Sequence, residues 1–133
     1  MKDRKGFTLI ELMLVVIIIG VLVSMVAPRL VGRSEEARVA AVKADINANI
    51  SVALDLYELD NGRYPDTEEG LGALLAKPAS AAKWKGSYLK KEPLDPWGRK
   101  YLYRSPGDHS GDYDLYSCGP DGVEGGEDDI VNW

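Results

Sequence analysis

Five carboxylates stand within nine residues near the C-terminus: Asp121, Glu124, Glu127, Asp128 and Asp129, interspersed with Gly122, Gly125 and Gly126. Left bare, that density repels itself. Oxygen donors in a flexible loop are what Ca²⁺ selects, roughly six to eight of them at about 2.3–2.6 Å. An EF-hand is excluded: counted from Asp121, position three is Val123, position five is Gly125 and position twelve is Asn132. Two readings stay open, a solvated acidic tail of the ordinary kind and a cation loop of another type. The apolar Ile130, Val131 and Trp133 that follow suit a docked segment. Nucleophilic chemistry lacks its parts. The sole histidine, His109, lies in the polar run SPGDHSGD and reads as a loop histidine in solvent; Cys118 is the sole cysteine, and no Gly-x-Ser-x-Gly element occurs. The chain is therefore not expected to be an enzyme. Trp84, Trp97 and Trp133 could line a carbohydrate cleft, but aromatics beside Pro and Gly more often anchor packing.

One further charge stands in the wrong solvent. Phe7 to Ala27 reads FTLIELMLVVIIIGVLVSMVA, 21 residues broken only by Glu11. As a helix this run is about 31 Å long, matching a hydrocarbon core of about 30 Å. A carboxylate in a membrane helix costs on the order of a few kcal/mol at depth and marks a function with a partner. A secretory signal needs a small-x-small cleavage site after the run, whereas the run ends in Met25-Val26-Ala27-Pro28-Arg29 here. A plain anchor leaves Glu11 unexplained. Lys5-Gly6-Phe7-Thr8-Leu9-Ile10-Glu11 resembles the type IV prepilin signal, in which a short basic leader (here Lys2, Arg4 and Lys5) ends in Gly and is cut before an apolar residue. That resemblance implies cleavage between Gly6 and Phe7 by a prepilin peptidase, and N-methylation of Phe7. The new ammonium and the Glu11 carboxylate are four residues apart and can neutralise each other, within a helix or between neighbouring subunits. Arg29, Arg33 and Arg38 nearly balance the leader's positive charge, so orientation rests on the motif. Gly20 and Ser24 form a small-xxx-small site where two helices can approach, or Gly20 is merely tolerated there.

The elements that carry these groups are legible in outline. Beyond Pro28, which can kink the helix, Val39, Val42, Ile46, Ile50, Ala53 and Tyr57 recur at helical spacing, flanked by Leu54 and widened by Val52, Leu56 and Leu59. Asn61-Gly62 is a stop signal. The pattern predicts a helix from Phe7 to about Asp60, roughly 80 Å long. Its apolar half must lie in lipid or against other subunits. Asp66 or Thr67 is expected to cap a short helix to about Ala76. Strands are expected near Lys100–Arg104 and Tyr113–Ser117, joined by a hairpin loop at Ser105 to Gly111. The formal charge is −5; the leader carries +2 and Glu11 −1, leaving −6 for Pro28 to Trp133, a balance that argues against nucleic acid. One cysteine allows no internal disulfide, so a small exported domain needs metal or oligomerisation as its staple.

Several runs in this half carry a second resemblance. Asn61-Gly62-Arg63-Tyr64-Pro65, Glu69-Gly70-Leu71, Tyr88-Leu89-Lys90-Lys91, Asp95-Pro96-Trp97-Gly98, Tyr113-Asp114-Leu115-Tyr116-Ser117 and Gly119-Pro120-Asp121-Gly122 resemble the major pseudopilins of type II secretion systems. With the leader, the likeness spans essentially the whole chain. Cys118 stands where Leu is expected and Pro120 where Ala is expected. The resemblance implies an α+β, type IV pilin-like fold. One long N-terminal helix, membrane-spanning in its first half, packs on a small C-terminal domain with a short helix, a small antiparallel sheet and a calcium loop. It implies a cleaved leader at 1–6, a transmembrane and assembly helix at 7–28 and a periplasmic domain at 29–133. It also implies calcium, held by the side chains of Asp121, Asp128 and Asp129 and by backbone carbonyls near Cys118 and Glu127, with Glu124 the weakest candidate. The implied role is the major subunit of a periplasmic pseudopilus that polymerises on an inner-membrane platform to drive export of folded proteins. Its partners would be other copies of itself, minor pseudopilins, the platform and the prepilin peptidase. The alternative is a type IV pilus pilin forming surface fibres. Many such pilins close a C-terminal loop with a disulfide that this chain cannot make.

Overall fold

The computed structural model describes residues 6–133, with the side chains at 29–31 left aside, so the basic leader at Lys2, Arg4 and Lys5 lies outside the described residues. The chain divides into two compact units, one ending at Glu36 and one spanning Ala37–Trp133. The first consists chiefly of helix α1, Leu9–Ala44, which continues into the second. The helix starts at Leu9 rather than Phe7 because Thr8 caps it. The Thr8 hydroxyl accepts the Glu11 N–H at 3.3 Å, and the Glu11 carboxylate accepts the Thr8 N–H at 2.9 Å. This reciprocal pair is a capping box. Pro28 lies inside α1. Every large apolar side chain from Phe7 to Val26 is exposed, and among the described residues this is the one helix long and apolar enough to cross a membrane.

In the second unit the expected single helix is interrupted. A π-helical segment, Asp45–Ile50, precedes α2, Ser51–Asn61. The wider turn keeps Ile46 and Ile50 buried together and sets Asp45 to accept the Tyr101 hydroxyl at 2.9 Å and the Asn49 amide at 2.6 Å. The apolar stripe reaches the core as expected: Val42, Ile46, Ile50, Ala53, Leu54 and Tyr57 are buried, with Val39 packed against them. Val52, Leu56 and Leu59 do not widen it. Val52 and Leu59 stand about 100° or more round the helix from both Ala53 and Tyr57, Leu56 about 60° from Ala53 and about 100° from Tyr57, and all three are exposed. Gly62 ends α2 in the left-handed region, φ 78°, its N–H bonded to the Glu58 carbonyl at 2.6 Å.

The short helix expected from Asp66 to Ala76 is a 3₁₀ turn, Gly70–Leu74. The expected cap, Asp66, closes the turn ahead of it instead: its carboxylate accepts the Glu69 N–H at 2.8 Å while Glu69 accepts the Asp66 N–H at 3.0 Å, and Glu69, which precedes Gly70, makes no side-chain cap bond to the 3₁₀ turn. Gly70, at φ 56°, stops the turn from becoming α-helical. Three antiparallel strands follow in the order β1-β2-β3: β1 Leu102–Arg104, β2 Asp114–Ser117 and β3 Ile130–Val131. Tyr103 pairs with Leu115 and Ser117 with Ile130. The first two strands are shorter than their sequence patterns, and β3 was not anticipated. Asn132 extends it by side chain, accepting the Leu115 N–H at 2.9 Å and donating to the Tyr113 carbonyl at 3.1 Å. Leu74, Leu115 and Ile130 close the core over the helical stripe.

Candidate functional site: the acidic loop and the processing motif

The acidic residues occupy the connection between β2 and β3. Its first turn closes when the Gly122 N–H bonds the Cys118 carbonyl at 3.2 Å. Asp121 then faces both ways: its N–H donates to Asp128 Oδ2 at 3.1 Å, and its own carboxylate accepts the Val123 N–H at 2.8 Å. Asp129 accepts the Gly125 N–H at 2.8 Å through Oδ2, while its Oδ1 is buried with no hydrogen-bond partner. Oxygens crowd Gly126. A Cβ there would lie 2.7 Å from Asp128 Oδ1, 3.2 Å from Asp121 Oδ2 and 3.5 Å from the Val123 carbonyl. Only a glycine lets these oxygens converge. Among the described residues no three His, Cys, Asp or Glu side chains are gathered closely enough to hold a metal by themselves.

The loop thus brings Asp121 and Asp128 together, with Asp129 bonded to the same turn. Glu124 turns away to accept the Tyr116 hydroxyl, and Glu127 is exposed beside Lys43 and Asp128. Burial and the nearby Asp129 and Glu124 carboxylates push the Cys118 thiol up, so it stays a neutral thiol and only its carbonyl is a hard donor. Two residues that the sequence reading did not single out brace the loop from the turn before β1. Asp95, buried, accepts the N–H groups of Trp97 and Arg99 at 3.1 and 2.9 Å and the Ser117 hydroxyl at 2.8 Å. Arg99 donates to the carbonyls of Gly119 at 2.7 Å and Pro120 at 3.4 Å. The Asp95-Pro96-Trp97-Gly98 signature marks the turn, but nothing in it tells where Arg99 reaches.

His109 is an exposed loop histidine, as expected, but it has partners. Its Nδ1 lies 2.9 Å from Asp114 Oδ2, and its ring stacks on Trp133 with centroids 4.1 Å apart and planes 3° from parallel. Trp84 instead donates to the Ala73 carbonyl at 2.9 Å and Trp97 packs against the core, so the three tryptophans serve separate contacts.

At the other end, Gly6 and Phe7 precede the first helical turn and are exposed, Phe7 by 87%. A peptidase needs an accessible bond, and this one is. Glu11 sits in the capping box with Thr8; the Phe7 nitrogen is a peptide nitrogen in this uncut chain. Gly20 has no atom within contact of a would-be Cβ, and Ser24 turns its hydroxyl to the Val21 carbonyl at 2.7 Å.

A membrane-length apolar helix opened by a prepilin-type motif, followed by an amphipathic helix and a three-stranded antiparallel sheet, defines a pilin-like subunit. The comparisons agree and go further. The prokaryotic N-terminal methylation motif matches residues 1–27, and the type II secretion system protein G family matches residues 29–133. The type II secretion system core protein G of Pseudomonas aeruginosa is 50% identical over 139 residues, covering 99% of this chain and 96% of that protein. The core protein G of Escherichia coli K12 is 49% identical over 134 residues, covering 98% and 91%. The crystal structure of the major pseudopilin of enterohaemorrhagic Escherichia coli has a TM-score of 0.71 at 44% identity, covering 78% of this chain and 89% of that one. The chain belongs to the type II secretion system protein G family.

Proposed function

We propose that this chain is the major structural subunit of a pseudopilus, drawn from the inner membrane into a periplasmic homopolymer that helps export folded proteins. The observation that carries the reading is α1. Its apolar side chains from Phe7 to Val26 are all exposed, so they need lipid before assembly and neighbouring subunits after it. Lipid tails are as apolar as these side chains, so helix association must be selected by packing and polar pairing. Glu11 and the small residues Gly20 and Ser24 are what the helix offers for that. The partners would be other copies, minor pseudopilins, the inner-membrane platform and the prepilin peptidase. The chain acts as a structural subunit, and the energy for assembly comes from an ATPase elsewhere in the system. Electron microscopy of cells overproducing the chain with its secretion apparatus tests this. Short periplasmic rods are expected; long external fibres would favour the type IV pilus alternative, and absence of any polymer would overturn both.

The acidic loop reads best as a calcium loop. The buried, unpartnered Asp129 Oδ1 and the oxygens converging at Gly126 suit a hard cation. Asp121, Asp128 and Asp129 would hold it, with carbonyls near Cys118 and Glu127. When bound, calcium supplies the positive charge that lets these carboxylates share one turn. The protein's own part is to hold the loop between β2 and β3 so that the oxygens face inward. Thermal unfolding of the full chain in detergent micelles, with calcium or with chelator, is the test. A midpoint raised by calcium in the parent and unresponsive in Asp128→Ala is expected; equal midpoints for the parent in both conditions would leave a bare acidic tail.

A further inference from the structure

We propose that Arg99 positions the acidic loop for its cation, acting on the backbone from outside the ligand set; this rests on the calcium reading above. The guanidinium is delivered by a turn that is itself fixed. Asp95 is 4% exposed, and one of its oxygens takes the Trp97 and Arg99 N–H groups while the other takes the Ser117 hydroxyl. Ser117 in turn accepts the Gly119 N–H at 3.3 Å. The turn before β1 and the end of β2 are thereby locked to each other.

From that base the Arg99 fork takes two consecutive carbonyls, Gly119 at 2.7 Å and Pro120 at 3.4 Å. The second contact matters most. The Pro120 carbonyl and the Asp121 N–H belong to one planar peptide unit. Arg99 holds its oxygen, and Asp128 Oδ2 holds its N–H at 3.1 Å. A peptide plane gripped at both ends cannot rotate, so the Asp121 side chain is aimed toward Gly126, against which Asp128 Oδ1 also lies. Gly122 makes room for the grip. It sits at φ 70°, and a Cβ there would lie 2.5 Å from the Arg99 Cζ.

Arg99 also carries a positive charge, which opposes a divalent cation nearby. The two effects predict different outcomes for different substitutions. A lysine keeps the charge and loses the planar fork that can serve two carbonyls at once. A glutamine loses the charge as well as the fork. If geometry dominates, both weaken binding; if repulsion dominates, lysine is neutral and glutamine tightens it.

The experiment is calcium titration calorimetry on the full chain in detergent at about 0.15 M salt, where surface charge is screened within about 8 Å. Each variant is also melted in chelator. Arg99→Lys and Arg99→Gln are both expected to raise the calcium Kd about 10–100-fold, the usual cost of removing an outer-shell support. Their midpoints should fall further below the parent's in calcium than in chelator, whereas a merely structural brace would lower both equally. Parental affinity in Arg99→Lys, tighter binding in Arg99→Gln, or a midpoint lowered as much in chelator as in calcium would each overturn the proposal while leaving the calcium reading intact. A parent chain that takes up no calcium would overturn both.

Discussion

Asp114 shows how much of this fold one carboxylate can hold. It is 2% exposed, and it closes the loop between β1 and β2 by accepting N–H groups from Asp108 at 2.9 Å, His109 at 3.1 Å and Ser110 at 2.9 Å, with the His109 ring added. Burial works to raise its pKa, yet those hydrogen bonds more than offset it and hold the carboxyl well below the ordinary range. Asp114→Asn replaces an oxygen by an amide that cannot accept, leaving donors unpaired in a buried place. A loss of about 2–3 kcal/mol is expected, measured by denaturant unfolding of the full chain in detergent. Glu69 is a second such group. The Arg63 guanidinium at 2.8 Å holds its carboxyl down to about 2, against the opposing effect of burial and with help from the Ser80 hydroxyl and the Asp66 N–H. A carboxyl depressed on folding contributes stability that is complete above its unfolded pKa, about 4.3, and is lost as pH falls through the folded value. The parent's melting midpoint should therefore drop between about pH 4.5 and pH 2. Glu69→Gln should start lower at neutral pH and fall less over that range. Parallel curves for the two proteins would remove Glu69 from the account.

At the scale of elements, the termini of α2 offer the simplest measurement. Gly62 caps it at φ 78°, with open space where a Cβ would go, so Gly62→Ala meets backbone strain alone. The expected cost is about 1–2 kcal/mol, read as a shifted denaturant midpoint at unchanged slope. That cap was legible because Asn-Gly after an apolar stripe has a local cause. The stripe itself was legible for the same reason: Val42, Ile46, Ala53 and Tyr57 follow the helical period, and the core takes them. The π-helical segment was not, since the four-residue step from Ile46 to Ile50 fits an α-turn equally well; what distinguishes it is Asp45 reaching Tyr101, a contact 56 residues away. Strand β3 has two residues, too few to show alternation. In the candidate site, composition pointed only to the acidic stretch Asp121–Asp129 as a whole, because carboxylates crowded among glycines need a reason; the choice of Asp121, Asp128 and Asp129 within it came from the family resemblance. Asp95 and Arg99 stayed hidden because their work is done 20 or more residues from where they stand. His109 is the exposed loop histidine expected, but its partners, Asp114 and Trp133, were hidden for a like reason. Local chemistry reads from sequence; pairings made by folding do not.

For the whole molecule, the decisive group is Glu11, and the structure separates two jobs that it could do. One is local. Its carboxylate caps α1 by accepting the Thr8 N–H and hydroxyl, each at 2.9 Å. The other follows processing: cutting after Gly6 would give Phe7 an ammonium, and a carboxylate is what neutralises it when one subunit joins another away from water. Alanine removes both jobs, so a defect in Glu11→Ala alone cannot say which matters. Glutamine keeps an oxygen for the Thr8 cap and removes only the charge. Both variants should insert into the membrane and be shortened normally, because cleavage falls at Gly6–Phe7, ahead of the helix. Polymer yield should fall in both. A charge-assisted hydrogen bond is worth about 1.5–3 kcal/mol, and each 1.4 kcal/mol is a factor of ten, so each subunit addition should weaken about 10- to 100-fold. The measurement is the fraction of processed protein recovered in sheared filaments, with processing followed by gel mobility. If Glu11→Gln polymerises like the parent while Glu11→Ala does not, the carboxylate serves the cap and the pairing with Phe7 is wrong. If both fail while both are processed, the charge itself sets the register of the filament.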